Sequence, residues 1–335
     1  MSSSRAFICG CEGDALTDSE RRFFRESSPW GFILFQRNIS APDQALRLVE
    51  ALREAVGRDA PVLIDQEGGR VARLRPPHWD EYPPARIFGN LAKRDFGKAV
   101  EALDLCLRLM SRDVAALGVD VMCLPVLDVP VTGAHDVIGD RAYGDDAELA
   151  AGLGRVAIET LLDVGVLPVA KHVPGHGRAR VDSHASLPVV DSDMSDLERC
   201  DFVPFKALSH APMMMTAHIL YTALDPDVPA TFSARVIGKT IRTGIGFDGL
   251  LISDDLSMNA LSGTMEERAR CALTAGCDIA LHCNGKMPEM EALAGIAPML
   301  AGDPARRSEK ALSLRQERTV EIPQDARARL DDMLA

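Results

Sequence analysis

Aromatic residues are scarce in this sequence: two Trp, three Tyr and eleven Phe make up 5% of its 335 positions. No aromatic platform stands out, and Trp79, Tyr82 and Tyr143 are the candidates for a ring that stacks on a ligand. No apolar run approaches the ~20 residues that a membrane-spanning helix needs. The first ten residues hold one Arg and a short apolar stretch closed by Gly10, too little for a secretory signal. Positive charge is also short: 37 Lys and Arg face 49 Asp and Glu, a net charge of −12 that disfavours nucleic acid and anionic membrane as partners. The eight cysteines form no CxxC pair, and Cys9-Gly10-Cys11 has no second cluster beside it. Neither a disulfide framework nor a zinc site is indicated; several of these thiols sit in apolar segments, where they behave as small hydrophobes. There is no P-loop. Gly244 to Gly249 spells G-x-G-x-x-G, but it precedes a strand and opens no helix, so it fails as a dinucleotide site. The expectation is a cytoplasmic, monomeric protein without cofactor or metal.

What the chain does have is repetition of one pattern. Short, continuously apolar segments occur at 6–9, 31–35, 61–64, 119–124, 166–170, 213–217, 250–253 and 278–281. Amphipathic stretches of helix length lie between most of them, at 41–56, 96–117, 145–164, 195–209, 265–275 and 288–300. Strands apolar on both faces and alternating with helices imply a parallel sheet covered by helices. Eight such strands fit a closed (β/α)8 barrel of the TIM type better than an open doubly wound sheet. One domain over 1–335 is expected, with 305–335 as a C-terminal helical extension whose last part, 324–334, packs outside the barrel.

In a barrel the C-terminal ends of the strands converge on one face, where active sites are built. The polar residues fall at those ends: Asp65, Asp128, Lys171-His172, His218, Asp254-Asp255 and His282. The densest stretch is Lys171-His172-Val173-Pro174-Gly175-His176-Gly177 followed by Asp182-Ser183-His184. Pro174, Gly175 and Gly177 forbid a helix there, which also excludes the zinc-helix reading of His172 and His176. Asp182 and His184, two apart in an extended segment, would share one side, so the carboxylate would orient the imidazole as a general acid/base requires. Gly175 and Gly177 would let this loop swing. Ser253-Asp254-Asp255 ends a buried strand, where alternation lets only one carboxylate face the barrel mouth; both could instead cap the following turn. Asp65-Gln66-Glu67-Gly68-Gly69-Arg70 and Gly139-Asp140-Arg141 supply further carboxylates and cations able to bind hydroxyl and carbonyl oxygens, or else turn chemistry with surface ion pairs.

The motifs D-Q-E-G-G-R-V, I-G-D-R-A-Y-G, K-H-V-P-G-H-G with D-S-H, and S-D-D-L-S-M resemble the NagZ-type bacterial β-N-acetylglucosaminidases of glycoside hydrolase family 3, with matches in the family's order from about residue 30 to 285. The resemblance implies a (β/α)8 barrel, Asp254 as nucleophile, and an Asp182–His184 acid/base on a mobile loop. It further implies that Asp65, Arg73, Arg141, Lys171 and His172 bind the sugar, and that the substrate is a 1,6-anhydro-muropeptide met during cell-wall recycling in the cytoplasm. Val173 and Ala179 depart from the Phe and Val common in the family, without removing a functional group. Two rivals follow from the residues themselves. One is a metal-dependent barrel hydrolase using His172 and His218; the other is a sugar-binding barrel without turnover.

Overall fold

The computed structural model describes residues 4–315 and 322–335. Eight strands, Arg5–Cys9 (β1), Pro29–Leu34 (β2), Val62–Ile64 (β3), Val121–Met122 (β4), Leu167–Val173 (β5), Met213–Thr216 (β6), Leu250–Asp255 (β7) and Ile279–His282 (β8), pair in parallel. They close in chain order, β8 returning to β1, as the expected barrel. Side-chain alternation divides two apolar layers. Ile8, Ile33, Leu63, Val121, Val169 and Ile252 fill the barrel interior. Phe7, Phe32, Leu34 and Ile64 face outward into the shell of helices. Each face is buried, which is why the strands read as unbroken apolar runs.

The helices depart from expectation where proline or capping intervenes. The stretch read as one helix over 195–209 is three turns in series: Met194–Asp196, a wide π-type segment Leu197–Asp201, and Phe202–Ala207. Pro204 accounts for this, because its ring opposes the carbonyl four residues back and it has no N–H to give. The helix expected to reach residue 300 is Met287–Ile296, ending just before Pro298. Helices Ala85–Ala92 and Asp18–Ser27 and the π-type Val236–Ile245 were not apparent from periodicity. Asp18–Ser27 owes its start to a capping box: Thr17 accepts from the Glu20 N–H, and the Glu20 carboxylate accepts from the Thr17 N–H. Thr17→Ala should lower unfolding free energy by about 1 kcal/mol in urea titration.

Near the C-terminus, helix Gly302–Leu312 closes the end of the barrel opposite the strand tips. Ala311 joins the interior cluster, the Trp30 indole N–H donates to Ser308 Oγ at 2.6 Å, and Arg307 pairs with Asp278 at 3.0 Å. Ala326–Leu334 packs through Ala326 and Leu330 on the outer layer, with Arg329 reaching Glu101 at 2.8 Å. Part of the expected extension, 316–321, lies outside the described residues. The free rim is therefore the one carrying the polar strand ends.

Candidate active site

Five charged side chains from three strand ends form a cage on that rim. Lys171, at the end of β5 and 2% exposed, donates to Asp65 at 2.8 Å and to Glu67 at 2.7 Å. Arg73 reaches the other Asp65 oxygen at 2.9 Å, and Arg141 grips Glu67 with two donors at 2.8 and 2.9 Å. Burial alone would push both carboxyls up, yet the adjacent cations hold Asp65 far below, and Glu67 below, the ordinary carboxylate range. Burial likewise opposes the Lys171 charge, but Asp65 and Glu67 prevail and raise it above an ordinary lysine. The cage is thus fully ionised at neutral pH. Arg73 keeps its buried Nε without a partner among the described residues. Its guanidinium lies 5.0 Å over the ring of Phe35.

β5 runs three residues beyond the expected apolar segment, to Val173, because Asp128 replaces part of the strand ladder. Its carboxylate accepts from the His172 N–H at 3.1 Å, the His176 N–H at 2.7 Å and His172 Nδ1 at 2.7 Å. The pairing with β6 correspondingly skips His172 between Lys171 and Val173. Burial would raise the Asp128 carboxyl, but His172 and His176 bring it down to about 2. A folded value below the unfolded one adds stability above the ordinary carboxylate range that disappears as pH falls through the folded value. Urea titrations from about pH 5 down to about pH 2 should therefore show an acid loss that is smaller by ~2 kcal/mol in Asp128→Asn.

The stretch from Ala179 to Pro188 carries Asp182 and His184. It is not extended, as sequence spacing suggested, but a tight turn: Asp182 Oδ1 accepts from both the backbone N–H and Nδ1 of His184 at 2.8 Å. The pairing expected from the i, i+2 spacing is present by a different geometry. With Nδ1 held by the carboxylate, Nε2 takes no hydrogen bond among the described residues. The two glycines of the loop are closely packed. A Cβ on Gly177 would lie 2.0 Å from the Val129 carbonyl, and one on Gly175 would lie 2.9 Å from Asp201 Cβ. Both allow close packing, and Arg178 anchors the same stretch through Asp201 at 2.6 Å.

β7 delivers Asp254 and Asp255, and both line the cavity despite the expectation that one would turn away. A register shift against β8 between Ile279 and Leu281 breaks strict alternation. Their roles nonetheless separate. Asp255 is occupied by the Ser257 N–H and hydroxyl, at 2.9 and 2.6 Å, and by the Cys283 N–H at 3.1 Å. Asp254 accepts the Asp255 N–H on one oxygen at 2.8 Å, while its Oδ2 takes no hydrogen bond among the described residues. Burial would raise its carboxyl, but His218, His172 and that N–H hold it below the ordinary value, poised as an anion. The Asp254 backbone N–H reaches Thr216 Oγ1 at 3.3 Å, and His218 Nε2 donates to the Asp255 carbonyl at 3.0 Å.

These groups meet around a cavity of about 260 Å³ lined by Asp65, Arg73, Arg141, Lys171, His172, His184 and Asp254. Asp182 stands behind His184 and does not line it. Glu67 and His176 do, though neither was singled out among the expected site residues; the carboxylate beside two glycines in D-Q-E-G-G-R was the available signal for Glu67. Trp79, Tyr82 and Tyr143 do not line it: the Tyr82 hydroxyl donates to Asp113 at 2.6 Å and Tyr143 is buried in the outer layer. The aromatic at the cavity is Phe35. His172 and His218 are engaged by Asp128 and by Thr231 with the Asp255 carbonyl, and no group of three or more His, Cys, Asp or Glu among the described residues has metal-binding geometry.

A carboxylate and a carboxylate-oriented imidazole thus border one cavity at the C-terminal rim of the barrel, the face on which such folds build active sites. The family model for the glycosyl hydrolase family 3 N-terminal domain matches residues 17–316. The chain belongs to glycoside hydrolase family 3, among its NagZ-type members. It is 39% identical over 281 residues to a β-hexosaminidase of Alkalilimnicola ehrlichii, covering 83% of this chain and 80% of that protein. A β-hexosaminidase of Pseudomonas aeruginosa is 37% identical over 297 residues, covering 88% and 87%. Among solved structures, NagZ from Neisseria gonorrhoeae in complex with N-trifluoroacetyl-D-glucosamine superposes with a TM-score of 0.88 at 28% identity, over 99% of this chain and 98% of that one. A family 3 β-N-acetylglucosaminidase from Paenibacillus gives 0.85 at 28% identity, over 98% of this chain and 66% of that one.

Proposed function

We propose that this glycoside hydrolase is a retaining exo-β-N-acetylglucosaminidase that releases N-acetylglucosamine from 1,6-anhydro-muropeptides during peptidoglycan recycling in the cytoplasm. The reading rests above all on Asp254, whose unpartnered oxygen borders the cavity that His184 also lines. In this mechanism Asp254 attacks the anomeric carbon while protonated His184 gives its Nε2 proton to the departing oxygen, leaving a covalent glycosyl-enzyme. Neutral His184 then takes a proton from water, which attacks the anomeric carbon and frees Asp254. Imidazole suits both steps because its ordinary pKa is already near neutrality, whereas a carboxylic acid would need a large upward shift. Asp182 keeps the ring in one orientation.

Asp65, Lys171, Arg73, Arg141 and His172 would hold the sugar hydroxyls and the acetamido oxygen. Their fixed ion pairs mean that little reorganisation is needed on binding. Incubation with a fluorinated N-acetylglucosaminide that accumulates the covalent species, followed by peptide mass spectrometry, tests the reading. A glycosylated peptide containing Asp254 is expected; a label elsewhere would overturn the nucleophile assignment.

A further inference from the structure

The turn that presents His184 is fastened to the stretch of chain that follows the nucleophile. Before it, the Ala179 carbonyl accepts from the His135 N–H at 2.7 Å; after it, the Pro188 carbonyl accepts from the Leu220 N–H at 3.0 Å. Between these anchors Val181, His184, Ala185 and Ser186 are exposed, the His184 side chain by 67%. Ser183 alone turns inward among them and is 3% exposed. Its hydroxyl meets His176 Nε2 at 3.2 Å, and its carbonyl accepts from the Ala260 N–H at 3.2 Å. The Asn259 side-chain amide N–H donates to the His184 carbonyl at 3.0 Å. Asn259 and Ala260 lie only a few residues beyond Asp254, in the turn braced by Asp255 and Ser257.

From this geometry we propose that Asn259, with Ser183, is a latch: it holds the acid/base turn closed over the cavity and ties the position of His184 to the strand that carries Asp254. Asn259 is a positioning residue and does not line the cavity. Its amide is the right group for the task, because a backbone carbonyl can only accept and the NH₂ supplies the donor. The Ser183 hydroxyl secures the neighbouring peptide from below, through an imidazole that is itself fixed by its backbone N–H on Asp128 at 2.7 Å. One neutral hydrogen bond on an exposed turn shifts an open–closed balance only modestly, so the latch tunes the fraction of time His184 is in place.

The inference rests on His184 being the proton donor, and the test separates the two claims. Two substrates are compared by kcat/KM: a dinitrophenyl N-acetylglucosaminide, whose leaving group departs without a proton, and a β-linked N-acetylglucosamine disaccharide, whose alkoxide needs one. Asn259→Ala should lower kcat/KM on the disaccharide about fivefold and leave the dinitrophenyl substrate unchanged. Asn259→Asp, of the same shape but without the donor, should lose at least as much. His184→Ala should show the same selectivity with a loss of about a hundredfold or more. If His184→Ala slows both substrates alike, the proton-donor assignment fails. If His184→Ala is selective while the Asn259 variants leave both substrates unchanged, or slow both equally, the latch is overturned. Because Asn259 is exposed, the variant should fold, and an unchanged Tm checks this.

Discussion

Asp254→Ala is expected to lower kcat on an aryl N-acetylglucosaminide by about 10⁴-fold or more while leaving Tm close to that of the parent. The contrast with its neighbour gives the prediction its force. Asp255 holds the Ser257 N–H and hydroxyl and the Cys283 N–H, so its carboxylate is structural glue between the tips of β7 and β8. Asp255→Ala should cost about 2 to 3 kcal/mol in unfolding free energy, the scale expected when bonds to a charged acceptor are lost and their donors orphaned. Asp254 spends one oxygen on a local turn bond, and the other has no partner among the described residues. A half-buried carboxylate held below its ordinary value by His218 and His172, with an oxygen facing no partner among the described residues, is what the proposed nucleophile requires. Parallel measurement of kcat and of chemical unfolding for the two variants checks the division. Near-normal turnover by Asp254→Ala, or an Asp255→Ala protein that is inactive at full stability, would reverse the assignment.

The barrel was legible because a parallel strand buried on both faces leaves a contiguous apolar run, and Pro29–Leu34 is buried at all six positions. The rim was legible for the related reason that a polar residue at the end of such a run must face solvent or a site. Reading failed where geometry was decided by partners distant in sequence. Period-two alternation set Asp254 and Asp255 on opposite faces, but the register shift against β8 removes that alternation at the tip. Asp182 and His184 looked like alternate residues of an extended segment, whereas the short Asp side chain captures the His184 N–H and folds the chain into a turn. Gly175 and Gly177 were read for their freedom of motion, and the close approach of Asp201 and Val129 to them is a contact that the local sequence does not report. Few aromatics made Trp79, Tyr82 and Tyr143 conspicuous, but each is a helix-layer or loop residue, and Phe35 at the end of β2 borders the cavity. Glu67 was invisible as a site residue because its partners, Arg141 and Lys171, lie 74 and 104 positions away, at separations no local pattern reports.

Glu67→Gln is expected to destabilise the protein by about 3 to 5 kcal/mol and to raise KM sharply, a larger stability effect than any surface ion pair here would give. The carboxylate is 5% exposed and takes three charged donors, two from Arg141 and one from Lys171, which are themselves 11% and 2% exposed. An amide of the same size keeps the shape but offers one acceptor oxygen and places an N–H against a cation. Lys171 would then lean on Asp65 alone, moving a donor that the proposed function assigns to the sugar. The cost comes from cations left buried without a counter-charge, and that origin is testable. In a double variant, Glu67→Leu with Arg141→Met, one charge of each sign has gone, so it should unfold less readily than Glu67→Leu by itself. The acid limb supplies a second check. Glu67 titrates below its ordinary value, so its contribution is complete above that value and is lost as pH falls through the folded one. Glu67→Gln should therefore be weaker than the parent near neutrality and approach it in acid, where the parent has surrendered the same charge.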